Sequence, residues 1–332
     1  MKRVSIKDIA QAVGVSVASV SLALTGKEEG RVSKDLSAKI HAMAKKMNYQ
    51  PNRLAISLQS GRSQTIGLLV TDIANPFFGS LAYHIQKEMG KAGYAVVIMN
   101  TDESSHQMGK MIDLMKGHQM DGLIIVPAEF GEDYIRQLVT DKVPVVMIDR
   151  YYPSIQTNAI LIDNYDASYQ ATKYLISKSC KKIALLIYDN NLPHMTERKA
   201  GYADALEEAG LFDEKLIKKI NHNTLHENIY DAIVSILPEK EKTDGILFAT
   251  NTIALNGLKQ LFKLHIKIPQ DIQVVCFDKN DVLDFMPVPI PYIQQPIQSI
   301  ANMASRMLLE QLEESVSEMH TSVYRLPAEL IG

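Results

Sequence analysis

From residue 65 to residue 277, short apolar runs alternate with mixed polar and apolar stretches, and few folds accommodate that pattern. The runs 66–70, 95–99, 122–126 and 143–148 form one series, and 183–187, 216–220, 245–248 and 273–277 form a second. Such runs, apolar on both faces, read as strands buried in a parallel sheet. The intervening stretches, roughly 12–16 residues long, have helical periodicity. This alternation predicts right-handed βαβ units whose helices cover both faces of the sheet. Two series predict two similar α/β lobes, with 158–166 as the connection between them. A further helix over about 296–315 and a last strand near 322–326 remain. In such a body a ligand sits in the cleft at the carboxyl ends of the strands.

The start of the chain follows another pattern. Residues 4–24 predict two short helices joined by a tight turn. Ser5 caps the first, with Asp8 three residues on in capping-box spacing. Ile6, Ile9, Ala10 and Val13 form its buried stripe, and Gly14 suits the turn because glycine tolerates positive φ. Ser16 caps the second helix, and Val20 and Leu24 face inward. Val17, Ala18, Ser21 and Leu22 are left on the outer face. A helix-turn-helix presents such a face to the DNA major groove, although a helical hairpin without a DNA role has the same local pattern. A third helix begins at the Ser33 cap, carries Leu36, Ile40, Met43, Ala44 and Met47 at helical spacing, and ends at Asn48 and Pro51. Residues 52–63 make about two further turns and a Gly/Ser linker. A helix so short forms only when docked, which makes it a candidate hinge.

Charge favours the DNA reading. Residues 1–63 hold eleven basic and four acidic side chains, a net +7. The whole chain carries −3, so the remainder carries −10. A basic head on an acidic body fits phosphate contact at one end only.

Other classes lose support. The 332 residues suffice for two or three domains. No apolar run reaches the roughly 18 residues of a membrane span, and the N-terminus lacks a secretory signal pattern. A cytoplasmic protein without membrane contact is expected. Cys180 and Cys276 lack metal-ligand spacing and read as reduced core thiols. His222 and His226 stand at i, i+4 spacing without a third ligand and read as surface residues. Neither a Gly-rich phosphate loop nor a nucleophile elbow is present. The expectation is no cofactor, no metal and no enzymatic activity.

Eight local motifs then point one way. Residues 15–21 follow a Val-Ser-x-x-Thr-Val-Ser pattern, with Ser19 at the Thr position. The others are Tyr49-x-Pro51-Asn52, Asn75-Pro76-Phe77-Phe78, Asp149-Arg150, Asp163-Asn164, Arg198-x-x-Gly201-Tyr202, Phe277-Asp278 and Gln295-Pro296. With them the chain resembles, over essentially its full length, the lactose/galactose-repressor family of bacterial transcription factors. The resemblance implies a helix-turn-helix domain over 1–50 and a hinge helix and linker over 51–64. It implies a two-lobed, periplasmic-binding-protein-like body over 65–332 that binds an effector and dimerises. The N-lobe would span about 65–163 plus a C-terminal return, and the C-lobe about 164–293, with three crossings between them. The implied partners are double-stranded operator DNA, a second copy of the chain, and a small molecule in the cleft. A sugar stands first; a sugar phosphate, a purine and a phosphorylated protein co-regulator also fit. A repressor is the first expectation. No heptad run near the end builds a tetramer, so a homodimer is expected.

Candidate residues follow. Val17, Ala18 and Leu22 face base edges, with Ser21 beside them on the DNA-binding face; Ser16, Thr25, Arg31, Tyr49 and Asn52 position the head on phosphate and sugar. Ala55 and Leu58 lie in the hinge, where the resemblance makes Leu58 a minor-groove wedge. Leu22 stands where many relatives have Arg or another polar reader. It cannot make the bidentate contact that reads guanine, but can meet a thymine methyl, which implies a different operator. Ile56 replaces a common hinge Arg, and Cys276 a common Gly. Asp72, Phe77, Phe78, Arg150, Asp163, Arg198, Asn251, Asp278 and Gln295 would converge on the cleft. Aromatic rings cover a sugar's apolar face while carboxylates, amides and guanidinium groups satisfy its hydroxyls. Arg198 and Asp278 could instead form a structural ion pair across the cleft.

Overall fold

The computed structural model describes residues 4–24, 31–50, 61–237, 243–313 and 321–332. The chain divides into one unit of residues 1–63 and a second of residues 64–332.

In the first unit, helices α1 (Ile6–Val13), α2 (Val17–Leu24) and α3 (Lys34–Lys46) close a small core of Ile9, Ala10, Val20, Ala23, Ile40 and Ala44. Ser5 and Asp8 form a reciprocal capping box: the Asp8 carboxylate accepts from the Ser5 amide at 2.7 Å, and the Ser5 hydroxyl from the Asp8 amide at 3.4 Å. Gly14 takes φ 78° in the turn, where a Cβ would be strained. The Ser16 hydroxyl accepts from the Ser19 amide at 3.1 Å and starts α2. Ala23 is buried in the core, and Leu24, expected to face inward, is half-buried.

The second unit holds two six-stranded sheets. The first contains β1 (Thr65–Val70), β2 (Ala95–Asn100), β3 (Gly122–Ile125), β4 (Val145–Ile148), β5 (Asn158–Ile162) and β11 (Val323–Leu326), in the order β11-β5-β4-β3-β1-β2. All its neighbours pair in parallel. The second contains β6 (Ile183–Tyr188), β7 (Ile217–Ile220), β8 (Gly245–Phe248), β9 (Gln273–Phe277), β10 (Tyr292–Gln294) and β12 (Glu329–Ile331), in the order β12-β10-β9-β8-β6-β7. Only β12 runs antiparallel, against β10. Helices α4 (Pro76–Lys91), α5 (Ser105–Gly117) and α6 (Glu132–Thr140) alternate with the first strands. Helices α7 (Asn164–Ser177), α8 (Pro193–Glu208), α9 (Leu225–Ile236) and α10 (Asn251–Lys263) serve the second lobe. Helix α11 (Ile297–Glu313) returns to the first lobe and packs on α4 and β4.

Two expectations are corrected. Residues 158–162 are a fully buried strand of the first sheet, and the connection between lobes shrinks to Asp163 and Asn164. Asn158 is tied into that sheet by accepting from the Ser322 amide at 2.8 Å. The second lobe also gains β10 and the terminal strand β12, so residues 329–331 belong to it rather than to the N-lobe return. The chain crosses between lobes three times, near 163–164, 295–296 and 327–328.

The motif Arg198-x-x-Gly201-Tyr202 divides three tasks along one helix. Tyr202 is fully buried, and its hydroxyl donates to the Ile183 carbonyl at 2.6 Å. Gly201 lets α8 lie against α7: an added Cβ would collide with the Tyr165 carbonyl and approach the Tyr169 amide nitrogen to 2.9 Å. Arg198, one turn earlier, points toward the cleft.

Among the described residues no single helix is long and apolar enough to cross a membrane. Nor do three or more His, Cys, Asp or Glu side chains gather there as a metal site requires.

Candidate functional site

The cleft between the lobes encloses about 560 Å3, open solvent at its mouth included. Its walls come from the carboxyl ends of strands, as open α/β sheets dictate. After β1 come Asp72, Asn75, Phe77 and Phe78; after β2, Glu103; after β4, Asp149 and Arg150. The second lobe adds Tyr188 at the end of β6, His194 and Arg198 after it, His222 after β7, Thr250, Asn251 and Thr252 after β8, and Asp278 after β9. Gln295 lies at the second crossing. Asp149 and Asp278 both hold positive φ, 65° and 68°, in the sharp turns that follow buried strands.

Two arginines organise the polar floor. Arg150 grips both carboxylate oxygens of Glu103, at 2.6 and 2.7 Å, and lies 3.4 Å from Asp149. Burial raises the Glu103 carboxyl, but the charge and hydrogen bonds of Arg150 outweigh it and hold the group below its ordinary value. Burial prevails at Asp149, whose carboxyl is pushed up against the pull of Arg150 and Arg198. Arg198 donates through Nε to Asn164 Oδ1 at 2.8 Å and through Nη1 to the Ala249 carbonyl at 2.6 Å. Its guanidinium lies 3.6 Å above the Phe277 ring centroid, a cation–π stack. Burial lowers Arg198 to about 10, so it stays charged near neutrality. Burial pushes Asp278 up to about 6, opposed by Arg198 and by the Gln295 hydrogen bond.

The neutral groups complete the site. Gln295 Nε2 donates to Asp278 Oδ1 at 2.7 Å. Burial, then the charges of Arg150 and Arg198, push the His194 imidazole well below its ordinary value. It is therefore uncharged near pH 7. Phe77 and Phe78 meet edge to face, with centroids 5.0 Å apart. Such a site can cover an apolar ring face and satisfy several hydroxyls at once.

Of the nine expected cleft residues, eight line this one cavity: Asp72, Phe77, Phe78, Arg150, Arg198, Asn251, Asp278 and Gln295. Asp163 is not in the lining; its carboxylate accepts from the Asp166 amide at 2.9 Å and caps α7. Arg198 and Asp278 belong to the same lobe, and Arg198 spends its hydrogen bonds on Asn164 and Ala249 rather than on an ion pair across the cleft. His222, read as a surface residue, is exposed yet lines the cavity beside Tyr188, ring centroids 5.7 Å apart. Glu103 and His194 were not anticipated. Each follows a strand at its carboxyl end, the one positional signal that could have found them.

In the first unit, the expected base-facing residues Val17 and Ala18 are exposed and Leu22 is half-buried, as is Ser21 on the same face. Ser16 and Arg31 are exposed and Tyr49 is half-buried, its phenol raised by burial. Thr25, Asn52, Ala55, Ile56 and Leu58, and with them the expected hinge helix, lie outside the described residues.

Comparison with known proteins matches this organisation. Residues 63–332 match the family model of periplasmic binding proteins and the sugar binding domain of the LacI family. Residues 5–52 match that of bacterial regulatory proteins, lacI family. The ribose operon repressor of Halalkalibacterium halodurans is 29% identical over 98% of this chain and 95% of its own length. The HTH-type transcriptional repressor PurR of Vibrio atlanticus is 28% identical over 96% of each. The crystal structure of the lac repressor dimer bound to operator and the anti-inducer ONPF shares the fold, with TM-score 0.87 at 20% identity over 100% of this chain and 98% of that one.

Proposed function

The chain belongs to the LacI family of bacterial regulatory proteins and is a DNA-binding transcriptional regulator, and we propose that a sugar bound between its lobes sets its affinity for operator DNA. It acts as a cytoplasmic homodimer, a repressor whose two heads meet a two-fold operator. The observation that carries the effector reading is the cavity itself. Aromatic edges, carboxylates, amides and guanidinium groups from both lobes meet on one site. The ribose operon repressor among the relatives supports a sugar as the ligand. Val17, Ala18 and Leu22 read base edges, Ser21 lies beside them on the DNA-binding face, and Ser16, Thr25, Arg31, Tyr49 and Asn52 hold phosphate and sugar. Ala55 and Leu58 act from the hinge. The eight converging cleft residues bind the effector. Because the sites are linked, an effector that weakens DNA binding is itself weakened by DNA to the same extent.

The test is a duplex selected from a randomised pool, titrated by fluorescence anisotropy. The +7 head predicts that affinity falls with salt, by a slope of roughly −0.9 per phosphate neutralised. A panel of pentoses and hexoses should then change that affinity at fixed salt. A flat salt response sinks the DNA reading, and an affinity indifferent to the whole panel sinks the sugar reading.

A further inference from the structure

Resting on the sugar reading, we propose that the cleft takes an uncharged polyol and rejects its phosphate ester, with His194 as one of the groups that read a hydroxyl. The arginines that would hold a phosphate are already spoken for. Both terminal nitrogens of Arg150 are held by Glu103, at 2.6 and 2.7 Å. Arg198 is fixed by Asn164, by the Ala249 carbonyl and by the Phe277 ring. Neither presents the free fork that phosphate recognition uses.

Charge points the same way. The carboxylates of Asp72, Glu103, Asp149 and Asp278 outnumber the two guanidinium groups around the cavity. Protonating the two raised carboxyls, Asp149 and Asp278, brings these six side chains to balance and never to a positive surplus. The first turns of α4 and α10, which could attract an anion, are capped by Asn75 and Thr250 side chains.

The unsatisfied atoms define what the ligand must bring. Gln295 Oε1 is buried and accepts no hydrogen bond among the described residues, while its Nε2 is committed to Asp278. An acceptor in that position needs a donor, which a hydroxyl supplies and a phosphate dianion does not. His194 is 6% exposed, and its Nδ1 has no partner among the described residues. As a neutral imidazole it offers one donor and one acceptor, the complement of a hydroxyl. Burying either atom against a ligand that cannot pair with it is strongly disfavoured.

The experiment is calorimetry on the full chain with D-ribose, D-ribose 5-phosphate, D-glucose and D-glucose 6-phosphate. At least one free sugar should bind at least about 100-fold tighter than its ester, the discrimination expected of a site with buried polar readers. An ester that binds as tightly as its parent sugar overturns the proposal and leaves the sugar reading standing. Binding of none of the four overturns the proposal, and the wider panel decides the sugar reading separately. Two variants sharpen the result. His194→Leu should lower affinity for the free sugar about tenfold, and His194→Gln, which keeps a donor and an acceptor, should recover part of it. Glu103→Gln removes a negative charge and loosens Arg150, and should raise affinity for the ester about tenfold. An ester affinity unmoved by Glu103→Gln, in a protein whose circular dichroism matches the wild type, contradicts the charge argument. The wild-type comparison needs no variant to fold.

Discussion

Asn75 and Asn251 hold hands across the cleft. Asn75 Nδ2 donates to Asn251 Oδ1 at 3.0 Å, and Asn251 Nδ2 donates back to Asn75 Oδ1 at 2.6 Å. Each sits where a helix begins: Asn75 caps α4 by accepting from the Phe77 amide, and Asn251 is the first residue of α10. The pair therefore joins one lobe to the other through two rigid elements.

Asn251→Ala removes both bonds, each worth about 1 kcal/mol net. The closed arrangement should lose about tenfold or more in population. Small-angle scattering should register a larger radius of gyration without ligand, and calorimetry a weaker effector. Unchanged values of both would mean the pair does not hold the lobes together.

Asp278 should make stability fall as pH rises. Its folded pKa of about 6 lies above the ordinary carboxylate value of 3.8, so the folded protein binds a proton that the unfolded chain has released between those values. Stability is then highest below about 4, declines through that window and levels off above about 6. Asp278→Asn cancels the cost of the buried charge, on the order of 3 kcal/mol. The ligand-free variant should melt above wild type at pH 7.5 and close to it at pH 4.5. A variant less stable at pH 7.5 would contradict the sign. Glu103, held low by Arg150, works oppositely: its stabilisation is present above the unfolded value and is lost as pH falls through the folded one.

Gly201→Ala should destabilise the second lobe by roughly 1–3 kcal/mol, since the added methyl meets backbone of α7 that cannot step aside. Urea denaturation gives the number directly. A loss under about 0.5 kcal/mol, the range of ordinary surface changes, would show that α7 and α8 can separate freely.

Leu22→Arg should change the preferred base at one position of each half-site, because Arg adds two donors where Leu has none. Discrimination at that position should shift by about 1–3 kcal/mol. Selection from a randomised duplex pool reports it. An identical consensus would remove Leu22 from the base-reading face.

The sequence made the long-range plan readable because the central parallel strands are continuous apolar runs, and all nine expected strands formed, with β2 and β7 as part-exposed edge strands rather than buried ones. Strand β5 escaped because its run, residues 158–162, adjoins Asp163-Asn164 and was read together with that polar pair as a connection. Strands β10 and β12 have three residues each, too few for any period to register. The cleft residues that stood in recognisable motifs converged, except Asp163, whose carboxylate serves the helix it begins. Glu103 and His194 had no such neighbours. Glu103 depends on Arg150, far away in the sequence, and His194, one turn before Arg198 on α8, meets the charge of Arg150 only after folding.

The three crossings between lobes have a mechanical consequence. They leave from β5 and β11, neighbours at one edge of the first sheet, and from β10, which with β12 forms the matching edge of the second. Bodies tethered along one shared edge keep a single easy degree of freedom, a swing about that edge. The opposite edges, β2 and β7, lie five strand spacings away, a lever arm of about 24 Å. A swing of about ten degrees then moves those far edges by about 4 Å, while residues beside the axis, Gln295 among them, scarcely shift. A small ligand wedged near the pivot thus commands a displacement at the rim larger than any movement it makes itself.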